Sequence, residues 1–491
     1  MNALSLLATT GLLLATFVAT LAQCGGQAVA ALPQAQDPPA AAAPLPADSV
    51  RLLVSGSMQG RLEPCGCAGG QLGGLARRMQ HIGEQRNYDI LLEGGDLVDG
   101  ATDLDVLKLY TATSILFQME HPYDALGVGQ KDLLVPRAEW SAFVGAVRRT
   151  EADVDYWPVV ASDLASTAPD WPARPFVEKD VRGQKVRIAS LTLSLPAPDE
   201  TLRLLPPAEA WAAALKGAGA STLRVLMLHC SDIAARALVP KLQPPPDLAV
   251  CMDPGYIEPS PNASLVEGVP LLFAGTRGRV LCDVRLARQD GRPRVACELV
   301  PLAGSKTLPG GGGDPNVKEA LLEHRHEVKR KDVLAHMMRQ VPTQSGASYV
   351  GSSTCKGCHP SAAAVWEKSR HAGAWDTLVK AEGDPKRYGW PVTAYPDCVS
   401  CHVVGFREQS GFVSFEETPD LAAVGCERCH GPGSAHALSN GEKKLGILGG
   451  IQASVLCTQC HDFEQSPDFL YLDKWKLIEH GCEPGQKKKK K

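Results

Sequence analysis

The chain has 491 residues, with 50 basic and 54 acidic side chains and a net charge of −4. That length exceeds a single core, so two or three domains are expected. The near balance of charge gives no footing for a general nucleic-acid binder, and 44% apolar with 21% charged residues is the composition of a soluble globular protein. Aromatic residues, at 5%, are sparse for so large a core.

Residues 1–30 read as an export signal. Leu4 to Leu21 is almost wholly apolar, and no charged side chain precedes Asp37. Three endings stay open. Ala28-Val29-Ala30 fits a signal-peptidase site. Leu21-Ala22-Gln23-Cys24 resembles a lipobox, which would anchor the chain by a lipid at Cys24. An uncleaved membrane helix is the third. Each places the bulk of the chain outside the cytoplasm, in the periplasm or cell envelope. Residues 31–48 are rich in Ala and Pro and read as a tether.

From 49 to 303 short apolar strands alternate with amphipathic helices. Strands are expected at Val50–Val54, Asp89–Leu92, Ala125–Val128, Pro158–Ala161, Val186–Leu191, Val225–Leu228 and Leu248–Cys251. Helices are expected at Gly74–Arg86 and Leu104–Met119. This alternation predicts an α/β layered domain. Arg279–Ala287 and Arg294–Pro301 flank Asp290-Gly291, a hairpin signal. They carry Cys282 and Cys297, as a disulfide or as two thiols. Residues 304–348 are a linker: Gly310–Gly313 breaks the pattern, and one charged helix is expected from Pro315 to about Gln340.

Residues 349–482 contain Cys-x-x-Cys-His four times: Cys355, Cys358 and His359; Cys398, Cys401 and His402; Cys426, Cys429 and His430; Cys457, Cys460 and His461. From composition, chance would supply about one hundredth of such a motif in a chain this long, and the pentapeptide is the attachment signature of c-type haem. The thiols add to the haem vinyl groups, and the adjacent imidazole reaches the iron. Zinc ribbons need no His after the second Cys, and they space their pairs by about 15–20 residues. Here the gaps are longer and uneven. Four haems c are therefore expected in a mostly helical or irregular domain. The Lys487–Lys491 tail reads as a solvated end.

Four irons need sixth ligands, and the segment offers three further imidazoles: His371, His436 and His480. One iron is left short. It is either open or borrows His324, His326, His336, Met337 or Met338 from the linker. Glu427, inside the third motif, reads as a solvated charge.

Tyr349-Val-Gly-Ser-Ser-Thr-Cys355, Trp366 with Ser369-Arg370-His371-Ala372, Cys426 through His436, and Phe469, Trp475 and His480 together resemble the cytochrome c-554 family, also called the cytochrome c-552/4 domain. The resemblance implies bis-His haems in stacked pairs, one five-coordinate haem, and electron transfer between periplasmic partners. Which haem is five-coordinate is not legible in the sequence.

Gly73-Gly74-Leu75-Ala76-Arg77-Arg78, Gly94-Gly95-Asp96, Tyr123-Asp124-Ala125, Ala161-Ser162-Asp163-Leu164 and Leu228-His229 resemble the calcineurin-like metallophosphoesterases of the 5′-nucleotidase branch. Active members of that family hold two metals. This chain has Ser55-Gly56-Ser57-Met58-Gln59 where Asp-x-His is required, Gln130-Lys131 in place of Asn-His, and Cys251-Met252-Asp253-Pro254-Gly255 where Gly-His-x-His would stand. Only Asp96 and His229 remain as ligands, so the domain is expected to be inactive in that chemistry. Cys65, Cys67, His229, Cys230 and Cys251 are expected to gather at one sheet edge, as disulfides, a metal or redox site, or unpaired thiols.

The sequence thus predicts an exported multihaem cytochrome serving redox proteins or quinol-linked membrane complexes, with anchoring through the N-terminus left open. Two alternatives stand beside it: a redox enzyme acting on a small nitrogen or oxygen species at an open haem, and a metal-dependent phosphoesterase with an electron-transfer module.

Overall fold

The computed structural model describes residues 45–481, apart from 152–153, 168–172, 198, 253–257, 306–310, 344, 385–388 and 447–449. The export signal, Cys24, most of the tether, the Asp253-Pro254-Gly255 segment and the lysine tail lie outside the described residues.

Two six-stranded sheets make the scaffold. The first runs Arg292–Pro301, Val280–Gln289, Val50–Ser55, Ile90–Glu93, Ala125–Gly127, Val159–Val160. Its last four strands are parallel, and Val280–Gln289 joins Val50–Ser55 antiparallel, with Leu52 beside both Ile90 and Val284. The second runs Ser264–Val266, Val269–Phe273, Leu248–Cys251, Leu223–Leu228, Gln184–Leu191, Val177–Val181.

Alternation along each strand sorts the side chains into layers. Leu52, Val54 and Leu92 meet Ile188, Val225, Met227 and Val250 between the sheets. Leu53, Leu91 and Leu126 face the other way, against helices Leu75–Gln85, Asp103–Thr113 and Arg137–Val147. Leu191, Leu226, Leu228 and Leu271 of the second sheet cover Trp211 and Val239. The result is a helix–sheet–sheet–helix sandwich, as the strand and helix alternation predicts.

One detail departs from expectation, and one alternative left open is decided. The linker helix is broken: Pro315–Arg330 is followed by a separate turn, Val333–Met337, because Asp332 sits in the left-handed region with φ 50°. Cys282 and Cys297 are thiols that hydrogen-bond each other from diagonal positions, since Cys282 pairs with Leu299 and Cys297 with Val284.

From Leu45 the chain forms one compact unit. The C-terminal segment is built of short helices around a small core of Trp375, Leu378, Trp390, Val399, Phe412 and Leu421. It is fastened to the sandwich by polar contacts. Lys108 Nζ lies 2.7 Å from Asp397, and Arg277 reaches Glu464 at 2.9 Å and Asp462 at 3.3 Å. His324, on helix Pro315–Arg330, bridges Thr111 Oγ1 and Tyr395 OH.

Within the sandwich, Arg78 and Glu93 form an ion pair at 2.6 Å with both side chains buried, and Ser55 Oγ donates to the same carboxylate. Removing one partner leaves a stranded charge. Glu93→Leu should lower unfolding stability by about 3–5 kcal/mol, whereas Arg78→Met/Glu93→Leu should recover most of it. Urea melts of the two variants check this.

Candidate functional site

Each pentapeptide sits on one turn of helix or tight turn. His359 N–H donates to Cys355 O at 3.0 Å, and His461 N–H to Cys457 O at 2.9 Å. One helical turn therefore brings first thiol and imidazole to the same side. All four pentapeptides line one cavity of about 1090 Å³.

Inside it the imidazoles are paired. His359 faces His436 with ring centres 6.0 Å apart, His461 faces His371 at 6.1 Å, and His430 faces His480 at 5.8 Å. Metal–imidazole bonds of about 2 Å on either side of one ion, plus about 1 Å from each nitrogen to its ring centre, give a separation of about 6 Å. The three pairs therefore fit an axially coordinated metal between them. The backs of the rings are held: His436 Nδ1 donates to Lys443 O at 2.8 Å and His430 Nδ1 to Gly446 O at 3.2 Å, while His461 Nδ1 lies 2.9 Å from Ser466 Oγ. Such contacts turn the other nitrogen toward the metal position.

His402 differs. Its Nδ1 donates to Ala374 O at 2.6 Å, but the three spare imidazoles of the segment are all taken. Four of the five linker candidates are engaged in other contacts, and His326 is exposed. His324 has both nitrogens bonded, and burial pushes its pKa down to about 4. His336 lies 3.4 Å from Asp103 at the surface, and Met337 and Met338 are packed with Leu104, Val328 and Val333. Among the described residues, the imidazole of His402 is the one of the four motif imidazoles that no other His ring faces.

The motifs also neighbour one another out of chain order. The Cys355 thiol meets that of Cys426, and the Cys401 thiol meets that of Cys460. Arg428 Nη2, in the third motif, is 3.7 Å from Cys460 Sγ in the fourth. First is thus beside third, third beside fourth, and fourth beside second.

Glu427 corrects the reading of a solvated charge. It is 3% exposed, and its carboxylate accepts from the backbone N–H of Val350 at 3.0 Å, Gly351 at 2.8 Å and Gly433 at 2.7 Å. These bonds tie the approach to the first motif onto the third. A buried acceptor clustered by donors is visible only once the backbone is placed. Lys108, Asp397 and Tyr395, which set the second motif against the sandwich, were likewise not singled out from the sequence.

The five Cys and His residues expected at one sheet edge are divided. Cys65 and Cys67 line the large cavity. Cys230 and Cys251 are buried, with Cys251 Sγ donating to Cys230 O at 3.1 Å. His229 is buried beside Ser190 Oγ at 3.2 Å, and burial takes its pKa down to about 4. Among the described residues no group of three or more His, Cys, Asp or Glu side chains is placed to hold one metal ion.

The two metals of a phosphoesterase do not fit the edge where Asp96 lies. Its carboxylate accepts from Ser57 Oγ at 3.0 Å and from Lys131 N–H at 2.9 Å. It packs so tightly that a Cβ on Gly129 would come within 2.0 Å of Oδ1. Asp132 is spent on the backbone N–H groups of Asp96, Leu97 and Gly129, and burial followed by the charge of Asp96 holds its pKa well above the carboxylate range. The Lys131 ammonium pairs with Asp99.

A segment of closely spaced Cys-x-x-Cys-His turns with facing imidazoles defines a multihaem c-type module, set here on a two-sheet α/β sandwich. Residues 354–431 match the family described as "Cytochrome c554 and c-prime", a match that implies covalent c-type haem in this region. Cytochrome c-554 of Nitrosomonas europaea is 40% identical over 93 residues, 18% of this chain, and the chain spans 40% of that relative's length. Among solved structures, a 5′-nucleotidase precursor from Thermus thermophilus is similar with 18% identity and a TM-score of 0.44, over 67% of this chain and 68% of that one. NAD nucleotidase from Haemophilus influenzae is similar with 14% identity and a TM-score of 0.48, over 76% and 74%. Covalent haem of this family implies an exported protein. No helix among the described residues is long and apolar enough to cross a membrane.

Glu427→Gln keeps the shape of the clamp but removes its charge. Hydrogen bonds to a charged acceptor contribute about 1.5–3 kcal/mol each, so the variant should unfold at lower denaturant by at least that of one bond. The haem-loaded protein, followed by circular dichroism in urea, checks this.

Proposed function

We propose that the C-terminal segment holds four haems c, at Cys355/Cys358/His359, Cys398/Cys401/His402, Cys426/Cys429/His430 and Cys457/Cys460/His461, and carries electrons between redox partners in the periplasm or cell envelope. His436, His371 and His480 would supply the second imidazole to haems held at His359, His461 and His430. The haem on His402 has no sixth protein ligand. The observation that carries this reading is the three facing imidazole pairs near 6 Å, with the fourth imidazole unmatched. When bound, haem supplies a reversible one-electron carrier whose potential follows its axial ligands and surroundings. The protein would set those terms by holding the imidazole backs, enclosing the cavity and placing the motifs side by side in the order first, third, fourth, second. Redox proteins and quinol-linked membrane complexes are the partner classes proposed.

The unmatched His402 favours a second reading, in which that haem binds and transforms a small nitrogen or oxygen species. The sandwich is proposed to act as a docking scaffold without phosphoesterase chemistry, because its carboxylates are already bonded within the fold.

Low-temperature EPR of the oxidised holoprotein tests the assignment. Three low-spin haems and one high-spin haem are expected. His480→Ala should convert one low-spin signal to high-spin, and His324→Ala should leave the pattern unchanged. Four low-spin haems in the wild type would end both the ligand assignment and the reading of an open catalytic haem. A high-spin signal that shifts with nitric oxide or cyanide supports the second reading.

A further inference from the structure

Cys65-Gly66-Cys67 belongs to the sandwich by sequence, yet it lines the wall of the haem cavity. Gly66 has φ 74°, a left-handed turn that brings the flanking side chains to one side. The two thiols hydrogen-bond each other, and Cys67 N–H donates to Cys65 Sγ at 3.3 Å. Gln71 locks the turn: its Oε1 accepts from Gly66 N–H at 2.7 Å, and its Nε2 lies 3.1 Å from Cys65 Sγ and 2.9 Å from Glu464 O beside the fourth motif. Cys398 and Cys401 line the same cavity as the two thiols of the turn. Cys67 is also exposed. The pair therefore has one side toward the second haem's attachment edge and another toward solvent.

From this we infer that Cys65 and Cys67 are a dithiol–disulfide couple that exchanges two electrons with the haem chain through the haem held at Cys398, Cys401 and His402. The inference rests on the haem assignment above. The external reductant is a dithiol. Its thiolate attacks the Cys65–Cys67 disulfide, a mixed disulfide forms, and its second thiol resolves it, leaving an external disulfide and two thiols in the turn. Those thiols then release two electrons, one at a time, to two ferric haems of the chain. The S–S bond re-forms and two protons leave to solvent. A disulfide closed across one residue makes a small, strained ring, which favours reversible rather than structural use. The couple converts a two-electron donor into two one-electron deliveries.

The test uses full-length holoprotein whose intact mass shows four added haems; protein lacking them would fail the haem assignment itself and is set apart by that measurement. The protein is reduced with dithiothreitol, desalted anaerobically and titrated with ferricyanide. Wild type should consume about two equivalents more than Cys65→Ser/Cys67→Ser. In the wild type alone, alkylation and peptide mapping should find Cys65 and Cys67 labelled before oxidation and protected after it. Equal consumption by the two proteins, or labelling of both cysteines after the haems are fully oxidised, would overturn the inference.

Discussion

An iron held in a flat macrocycle takes its remaining two ligands from opposite faces, so two imidazoles that serve it must confront each other across a fixed gap. Under the ligand assignment proposed above, that requirement organises the C-terminal part of the molecule. His359 is confronted by His436, His461 by His371 and His430 by His480. Each partner comes from a distant part of the segment, so the chain must fold back repeatedly over itself. The short helices, the many turns and the small apolar core accompany this routing.

The sandwich answers a different need. Its sheets bury aliphatic side chains on both faces, and its polar pocket is closed on itself through Asp96, Ser57 and Asp132. What it offers the cytochrome segment is a rigid wall. Lys108 with Asp397, Arg277 with Glu464, and Arg325 with Glu63 are ionic fastenings at that wall, joined by the His324–Tyr395 bond. A wall of this kind excludes solvent from one side of the cavity and presents the Cys65–Cys67 turn to it.

Much of the fold is legible in the sequence because it is repetitive in the right period. The apolar strands Val50–Ser55, Leu223–Leu228 and Leu248–Cys251 stand where their patterns place them, and Asp290-Gly291 turns the expected hairpin. The pentapeptides and the spare imidazoles were equally legible, because covalent attachment demands fixed spacing. The pairing of His to His was not, since it depends on how the chain returns. Glu427 shows the same limit from the other side: a charge beside a motif reads as solvated until three backbone donors are seen converging on it. The break at Asp332 escaped for a local reason, as nothing in a charged, periodic run announces a left-handed residue.

The out-of-order adjacency of the motifs bears on biosynthesis. During export the pentapeptide at Cys355 emerges first, but its structural neighbour at Cys426 and its opposing imidazole at His436 emerge only later. The first motif therefore emerges before the groups that surround it in the fold. The pair of His430 and His480 likewise closes only after the intervening chain has returned, so each facing pair is completed by a later stretch of the segment.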